Sequence, residues 1–223
     1  MAAMVKENRV VDAFSRVHLK GVGKLIIKQS AEQKVEVEAE DYVLNRICTD
    51  VVDGRLVIDI GRDWVERISA GLDFLGANRI IINITVPQLD GLEISGAGDI
   101  EVGEFKSKVF DLRMTGASNV VLTSLNAERL NADMPGAGKL ELSGKVDEQI
   151  VSLTGAGNYA AHRLESRKAR VNLTGVGSAQ VWVTGELEVA ITGVGSIEYY
   201  GNPSVRQSVT MLGSVRSMGE PKA

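Results

Sequence analysis

Ser95-Gly96-Ala97-Gly98-Asp99-Ile100 is the stretch that decides the fold, because the chain writes it again and again. It returns as Thr115-Gly116-Ala117-Ser118-Asn119-Val120 and as Pro135-Gly136-Ala137-Gly138-Lys139-Leu140. Further copies are Thr154-Gly155-Ala156-Gly157-Asn158-Tyr159, Thr174-Gly175-Val176-Gly177-Ser178-Ala179 and Thr192-Gly193-Val194-Gly195-Ser196-Ile197, with a worn copy at Leu212-Gly213-Ser214-Val215. The first glycines, Gly96, Gly116, Gly136, Gly155, Gly175, Gly193 and Gly213, follow one another at steps of 20, 20, 19, 20, 18 and 20 residues. A fixed period of that size is the mark of a repeat architecture.

Aligning the copies on their first glycine shows what the repeat builds. Four residues before it stand Leu92, Leu112, Ala132, Val151, Val171, Val189 and Val209; two before it, Ile94, Met114, Met134, Leu153, Leu173, Ile191 and Met211. Four residues after it stand Ile100, Val120, Leu140, Tyr159, Ala179 and Ile197; six after it, Val102, Leu122, Leu142, Ala161, Val181 and Tyr199. Apolar residues thus alternate on both sides of the glycine, as short strands turning one face inward. A third, weaker segment lies around Val109-Phe110, Leu125, Ile150, Leu164 and Leu187. Two or three strands per coil of about 20 residues is the dimension of a parallel β-helix. Roughly seven coils at ~4.8 Å make a rod about 30 Å long, expected to be right-handed by the crossover rule. The corner glycine supplies either a positive φ or a close approach of backbones. A propeller is disfavoured, since its blades need about forty residues each.

The expected fold is therefore all-β, a β-solenoid over residues 91–216 after an N-terminal β region at 9–90, with a tail at 217–223. Within that region, Lys20-Gly21-Val22-Gly23-Lys24-Leu25 is an early coil or a divergent copy. Lys34-Val35-Glu36-Val37-Glu38-Ala39-Glu40 alternates an apolar with an acidic, solvated face, and Asp53-Gly54 between apolar runs is a hairpin signal. Residues 62–78 break the rhythm, with Trp64, Val65, Ile68, Leu72 and Leu75 at helical spacing; a short helix or folded loop capping the body is expected. Met1-Ala2-Ala3-Met4 runs into Val5-Lys6-Glu7-Asn8 with no signal peptide, so residues 1–8 are expected as a disordered start whose leader has been removed. The worn copy at Gly213 is expected to be a capping coil.

Composition narrows function mainly by exclusion. In 223 residues the net charge is -4, which gives no basic footprint for nucleic acid or anionic membrane, and no stretch is apolar enough to span a bilayer. Cys48 is the only cysteine; a small buried strand residue is expected there. His18 and His162 have no Cys or His companion at ligand spacing, so no metal is expected. Gly96-Ala97-Gly98 leads into strand residues rather than a helix, which removes a dinucleotide site, and no cofactor is expected. Gly-x-Ser-x-Gly is absent and no catalytic residues are marked. The candidate functional surface is the residue after each Gly-x-Gly: Asp99, Asn119, Lys139, Asn158, Ser178 and Ser196, a polar ladder up one edge. Its bland reading is a row of turn residues that tolerate unusual φ/ψ.

The chain also resembles a bacterial family, the auto-transporter adhesin head or GIN domain. The resemblance rests on Phe14 with Val17-His18-Leu19-Lys20-Gly21-Val22-Gly23, on Asp53-Gly54-Arg55-Leu56-Val57-Ile58, and on Ile84-Thr85-Val86-Pro87-Gln88-Leu89. The recurrent Ser/Thr-Gly-Ala/Val-Gly and Tyr200-Gly201-Asn202-Pro203 extend it over residues 9–216. It implies an exported or surface-anchored β-helical protein, extracytoplasmic and non-enzymatic, binding a glycan or surface protein, with no functional residues defined. Two alternatives stand beside it. One is a polysaccharide-active β-helix enzyme, by analogy of fold alone. The other is a self-assembling scaffold or homo-oligomer, since solenoid ends present open strand edges.

Overall fold

The computed structural model describes residues 4–61 and 80–221. The solenoid is present, and its coils are continuous: β9 (Ala97–Met114), β10 (Ala117–Met134), β11 (Ala137–Leu153), β12 (Ala156–Leu173) and β13 (Val176–Ile191) each run from one glycine corner to the next. All pair in parallel, with corner on corner: Ala97 with Ala117, Ala117 with Ala137, Ala137 with Ala156, Ala156 with Val176. β14 (Val194–Tyr200) and β15 (Ser204–Val209) make the rung on β13, and β16 (Leu212–Ser217) begins a last, partial one, with Gly213 stacked on Gly195. The inward columns are those of the repeat, from Ile94, Ile100 and Val102 to Ile191 and Ile197, and all are buried.

The corner glycines show which of their two uses applies. A Cβ on Gly96 would lie 1.6 Å from the Gly21 carbonyl oxygen, and one on Gly116 1.8 Å from that of Gly96. Successive corners touch backbone to backbone, so close approach and not a positive φ demands glycine.

The early motif is a true coil. β2 (Arg16–Lys20) pairs in parallel with β8 (Gly91–Ile94), and β3 (Val22–Gln29) pairs with β9, Gly23 beside Gly98. Antiparallel pieces are added at this end. β4 (Lys34–Glu40) pairs with β7 (Ile81–Val86), and β5 (Cys48–Val52) with β6 (Arg55–Asp59) across Asp53 and Gly54 at φ 51° and 70°. That is the conformation an Asp-Gly hairpin needs. β6 continues the solenoid face by pairing with β2.

Several expectations are corrected. Residues 4–8 are not a disordered start: β1 (Met4–Arg9) pairs antiparallel with β4, and Lys6 lies 3.0 Å from Glu38 and 3.6 Å from Glu36. The acidic face of β4 is thereby paired and not merely solvated. Cys48 is exposed, because it begins the edge strand β5. A single helical turn, α1 (Asp41–Leu44), buries Val43 and Leu44 at a place with too few residues to show a helical period. The cap expected at 62–78 lies outside the described residues. Among the described residues no polar cap closes the C-terminal end of the stack: Met211 is 71% and Leu212 77% exposed.

The third segment also differs in one position. Gln149, and not Ile150, takes the inward column between Leu130 and Ala169. The amide is wholly buried and engaged at both ends. The Tyr159 hydroxyl donates to its Oε1 at 2.8 Å, and its Nε2 donates to Ser166 Oγ at 2.7 Å. Ser166 Oγ in turn donates to the Trp182 carbonyl at 2.8 Å. A buried polar chain is tolerated when each member has its partner. Burial alone pushes the Tyr159 hydroxyl well above its ordinary pKa, so it stays a donor.

Candidate functional site

The residues after each Gly-x-Gly do form a ladder. Asp99 lies beside Asn119, Asn119 beside Lys139, Lys139 beside Asn158, Asn158 beside Ser178, and Ser178 beside Ser196. Parallel strands in register bring like positions to ~4.8 Å, so a sequence step of about twenty becomes a neighbour in space. The ladder satisfies itself in part: Asn119 Nδ2 donates to Asp99 at 3.2 Å and Asn158 Nδ2 to Ser178 Oγ at 3.0 Å.

A second outward row, two residues further along each strand, runs beside it: Glu101, Val121, Glu141, Ala160, Gln180 and Glu198. Lys139 bonds across to Glu141, and this hydrogen bond holds the Glu141 carboxyl below its ordinary range. Gln180 Nε2 donates to Glu198 at 2.8 Å. Sequence reasoning saw the first row and missed the second, which the inside-outside alternation of the strand places on the same face.

The two rows floor a groove of about 680 Å³ whose wall is an irregularity. Up to Glu141 and Ala160 the coils of β11 and β12 match, but Ser143 then pairs with Arg163. Against β13, Ala161 pairs with Val181 and Glu165 with Trp182. His162, Arg163 and Leu164 therefore swell out of β12 as a bulge, a device that re-aims side chains. The His162 ring tilts at 43° over Tyr200, with centroids 6.0 Å apart, and Tyr200 is the register partner of Trp182. Nδ1 of His162 and Nε1 of Trp182 are buried without a hydrogen-bond partner. Of the two, only the His162 nitrogen belongs to the bulge and to the groove lining, where it lacks a partner for a hydrogen bond.

The groove's acids do not converge. Glu141 sits on β11 and Glu198 on β14, three ladder steps or about 14 Å apart, and each is already engaged. Paired carboxylates on adjacent coils, which a polysaccharide-cleaving site needs, are not formed here. Among the described residues no cluster of three or more His, Cys, Asp or Glu is placed to hold a metal ion.

A second groove of about 770 Å³ lies at the other end, over β5, β6, β2 and β8. There His18, paired in register with Glu93, is buried at 8% exposure. Its Nε2 lies 2.8 Å from Ser95 Oγ and its Nδ1 3.8 Å from Glu93, while Arg55 holds Glu93 at 3.3 Å. Desolvation lowers the His18 pKa from the ordinary 6.5, against the opposing pull of Glu93. The association was missed because Ser95 is 77 residues from His18. The signal was available: three places before their first glycines, His18 and Glu93 are equivalent, and so are adjacent.

Comparison with known proteins agrees with the architecture. A family model described as "Putative auto-transporter adhesin, head GIN domain" matches residues 13–203. The fold is shared with the crystal structure of a "putative adhesin" from Bacteroides fragilis NCTC 9343, with TM-score 0.89 and 24% identity over 97% of both chains. A "putative lipid binding protein" from Parabacteroides distasonis ATCC 8503 follows, at TM-score 0.74 and 21% identity over 96% of both. A "putative adhesin" from Parabacteroides merdae ATCC 43184 gives TM-score 0.68 and 20% identity over 96% of both. No curated protein matches the chain. The family and these two adhesins are named for adhesion rather than for catalysis.

Proposed function

Because the chain belongs to the auto-transporter adhesin head family, the GIN domain, we propose that it is an extracytoplasmic surface adhesin. Its ligand is a glycan, held along the groove over β10–β14. The observation that carries this reading is the groove itself: two registered polar rows ending against an aromatic bulge. A sugar ring offers both hydroxyl donors and acceptors and an apolar face. The groove answers with amides and carboxylates such as Gln180 and Glu198, with Arg163, and with the ring of His162, which packs against Tyr200. The rigid coils hold these groups in place before the ligand arrives, which lowers the ordering cost of binding.

A glycan array probed with the purified chain tests the reading. Binding of at least one glycan class is expected, and the double variant His162→Ala, Arg163→Ala should weaken it by about tenfold or more, near 1.4 kcal/mol. Failure of the parent chain to bind any glycan on a broad array would overturn the reading. Labelling of intact cells with an impermeant reagent tests the location, and protection of the protein from it would count against surface exposure.

A specific observation favours self-association as a second property. The N-terminal end is covered by antiparallel strands with a charged outer edge at Lys6, Glu7 and Arg9. Among the described residues the C-terminal end has no such cover: Val209, Met211 and Leu212 are exposed, and its outermost strands, β15 and β16, carry one charge each, Arg206 and Arg216. A weakly charged strand edge with apolar neighbours invites pairing. Light scattering should show a closed dimer, and Leu212→Lys should return it to monomer. A parent chain that stays monomeric up to about 100 μM would remove this reading.

A further inference from the structure

We propose that Ser95, His18 and Glu93 form a nucleophile, base and orienting carboxylate that cleave small acyl esters, an activity separate from binding in the groove over β10–β14. The repeat itself singles out the place. The residue before each corner glycine is a hydroxyl in most coils: Ser95, Thr115, Thr154, Thr174 and Thr192. Thr115 uses its hydroxyl to bond back to the Ile94 carbonyl at 3.3 Å. Ser95 instead meets an imidazole, and His18 occupies the place that later coils fill with Glu93, Arg113, Asp133, Ser152 and Asn172. An imidazole beside a corner hydroxyl thus departs from what the coil requires.

Each member has the state its role needs. Ser95 is exposed, so an ester can reach it, whereas His18 is buried and held neutral by desolvation. A neutral ring with its proton on Nδ1 accepts the Ser95 hydroxyl proton through Nε2. Glu93 lies on the Nδ1 side, where it orients the ring and stabilises the cation that forms when the proton arrives. At 3.8 Å this is an ion-pair distance and not a hydrogen bond, so the role of Glu93 requires the contact to shorten when an ester binds. Arg55 donates to the same carboxylate oxygen, Glu93 Oε2, at 3.3 Å. All three residues stand on β2, on β8 or at the adjoining corner, which the backbone contacts at Gly96 lock in place.

The substrate class follows from the groove beside the trio. Arg16, Lys20 and Arg55 line it together with Asp50, Asp53, Asp59 and Glu93, so the two signs come within one charge of balance. Its apolar lining is limited to Val52 and Val57, which suits a short acyl chain on an uncharged polar carrier. Lys20 and Arg55 set positive charge close enough to His18 to act on its ring. In the reaction, Ser95 Oγ bonds to the ester carbonyl carbon while His18 Nε2 takes its proton. The carbon–oxygen bond to the leaving alkoxide breaks, and His18 returns the proton to that oxygen as the alcohol departs. Water then attacks the Ser95 acyl ester, again through His18, releasing a carboxylic acid and restoring the hydroxyl.

Labelling the whole chain with a fluorophosphonate probe, followed by peptide mapping, tests the assignment. One adduct is expected, on Ser95. Hydrolysis of p-nitrophenyl acetate should fall by about a hundredfold or more in Ser95→Ala and in His18→Gln, the usual contribution of a positioned base. The parent rate should hold through neutral pH and fall on acidification along a limb below the ordinary histidine value of 6.5, because protonated His18 cannot accept. Glu93, Asp59, Lys20 and Arg55 are the charged groups that act on that limb. Ser95→Ala changes an exposed corner and should keep the parent's circular dichroism, so its loss of rate is not a loss of fold. No adduct at Ser95, an adduct at Cys48 alone, or equal hydrolysis by Ser95→Ala would each overturn the proposal.

Discussion

Gly96→Ala is expected to destabilise the protein by about 3 kcal/mol or more, enough to lower the melting temperature by roughly 6–12 °C in a chain of this size. The added methyl carbon would sit 1.6 Å from the Gly21 carbonyl oxygen and 2.6 Å from its carbon. Neither can yield without shifting a rung, since Gly116 in turn rests on Gly96 at 1.8 Å. Gly54→Ala is the contrasting variant. Gly54 has φ of 70° but nothing within 4 Å of a new Cβ, so only the left-handed backbone resists, at about 1–2 kcal/mol. Differential scanning calorimetry of the two variants ranks them. A smaller loss for Gly96→Ala than for Gly54→Ala would show that the corner contacts are not what holds the coils in step.

Gln149→Leu should cost about 2–3 kcal/mol although it makes the core more apolar. The substitution deprives the Tyr159 hydroxyl of its acceptor while the ring remains wholly buried, and a stranded buried donor carries its full desolvation penalty. Ser166 loses a donor but keeps its bond to the Trp182 carbonyl. Tyr159→Phe alone strands the Gln149 oxygen instead. The double variant Gln149→Leu, Tyr159→Phe removes both needs at once, so its loss should be smaller than the sum of the singles by about 1 kcal/mol or more. Chemical denaturation of the three variants measures this difference. Additive losses would mean that the chain of hydrogen bonds contributes nothing beyond its members.

These two sites mark where sequence reading succeeds and where it stops. The corner at Gly96 was legible because its requirement recurs: the same backbone contact forms at Gly116, Gly136, Gly155, Gly175 and Gly193. The inward columns were legible because a strand alternates its faces at every second residue. Gln149 was not, since a polar residue in a core column is tolerated only through partners on other rungs. Ser95, His18 and Glu93 were hidden for the same reason, as nothing local in the chain joins a coil to the one stacked on it. Once like positions are read down the stack instead of along the chain, both groups stand out. The bulge at His162 remained illegible, because extra residues in one coil look like a small variation in repeat length.

Corner-on-corner registry has a last consequence, for how such a protein changes size. Ala117 and Ala137 occupy equivalent seats, as do the glycines before them. A stretch such as residues 117–136 can therefore be deleted or copied so that each new junction joins a glycine to the residue type it already precedes. The rod would shorten or lengthen by one rung, about 4.8 Å, with both ends untouched. Reach is then inherited as a whole number, and a population of such genes can vary how far its bearer extends without having to reinvent how it folds.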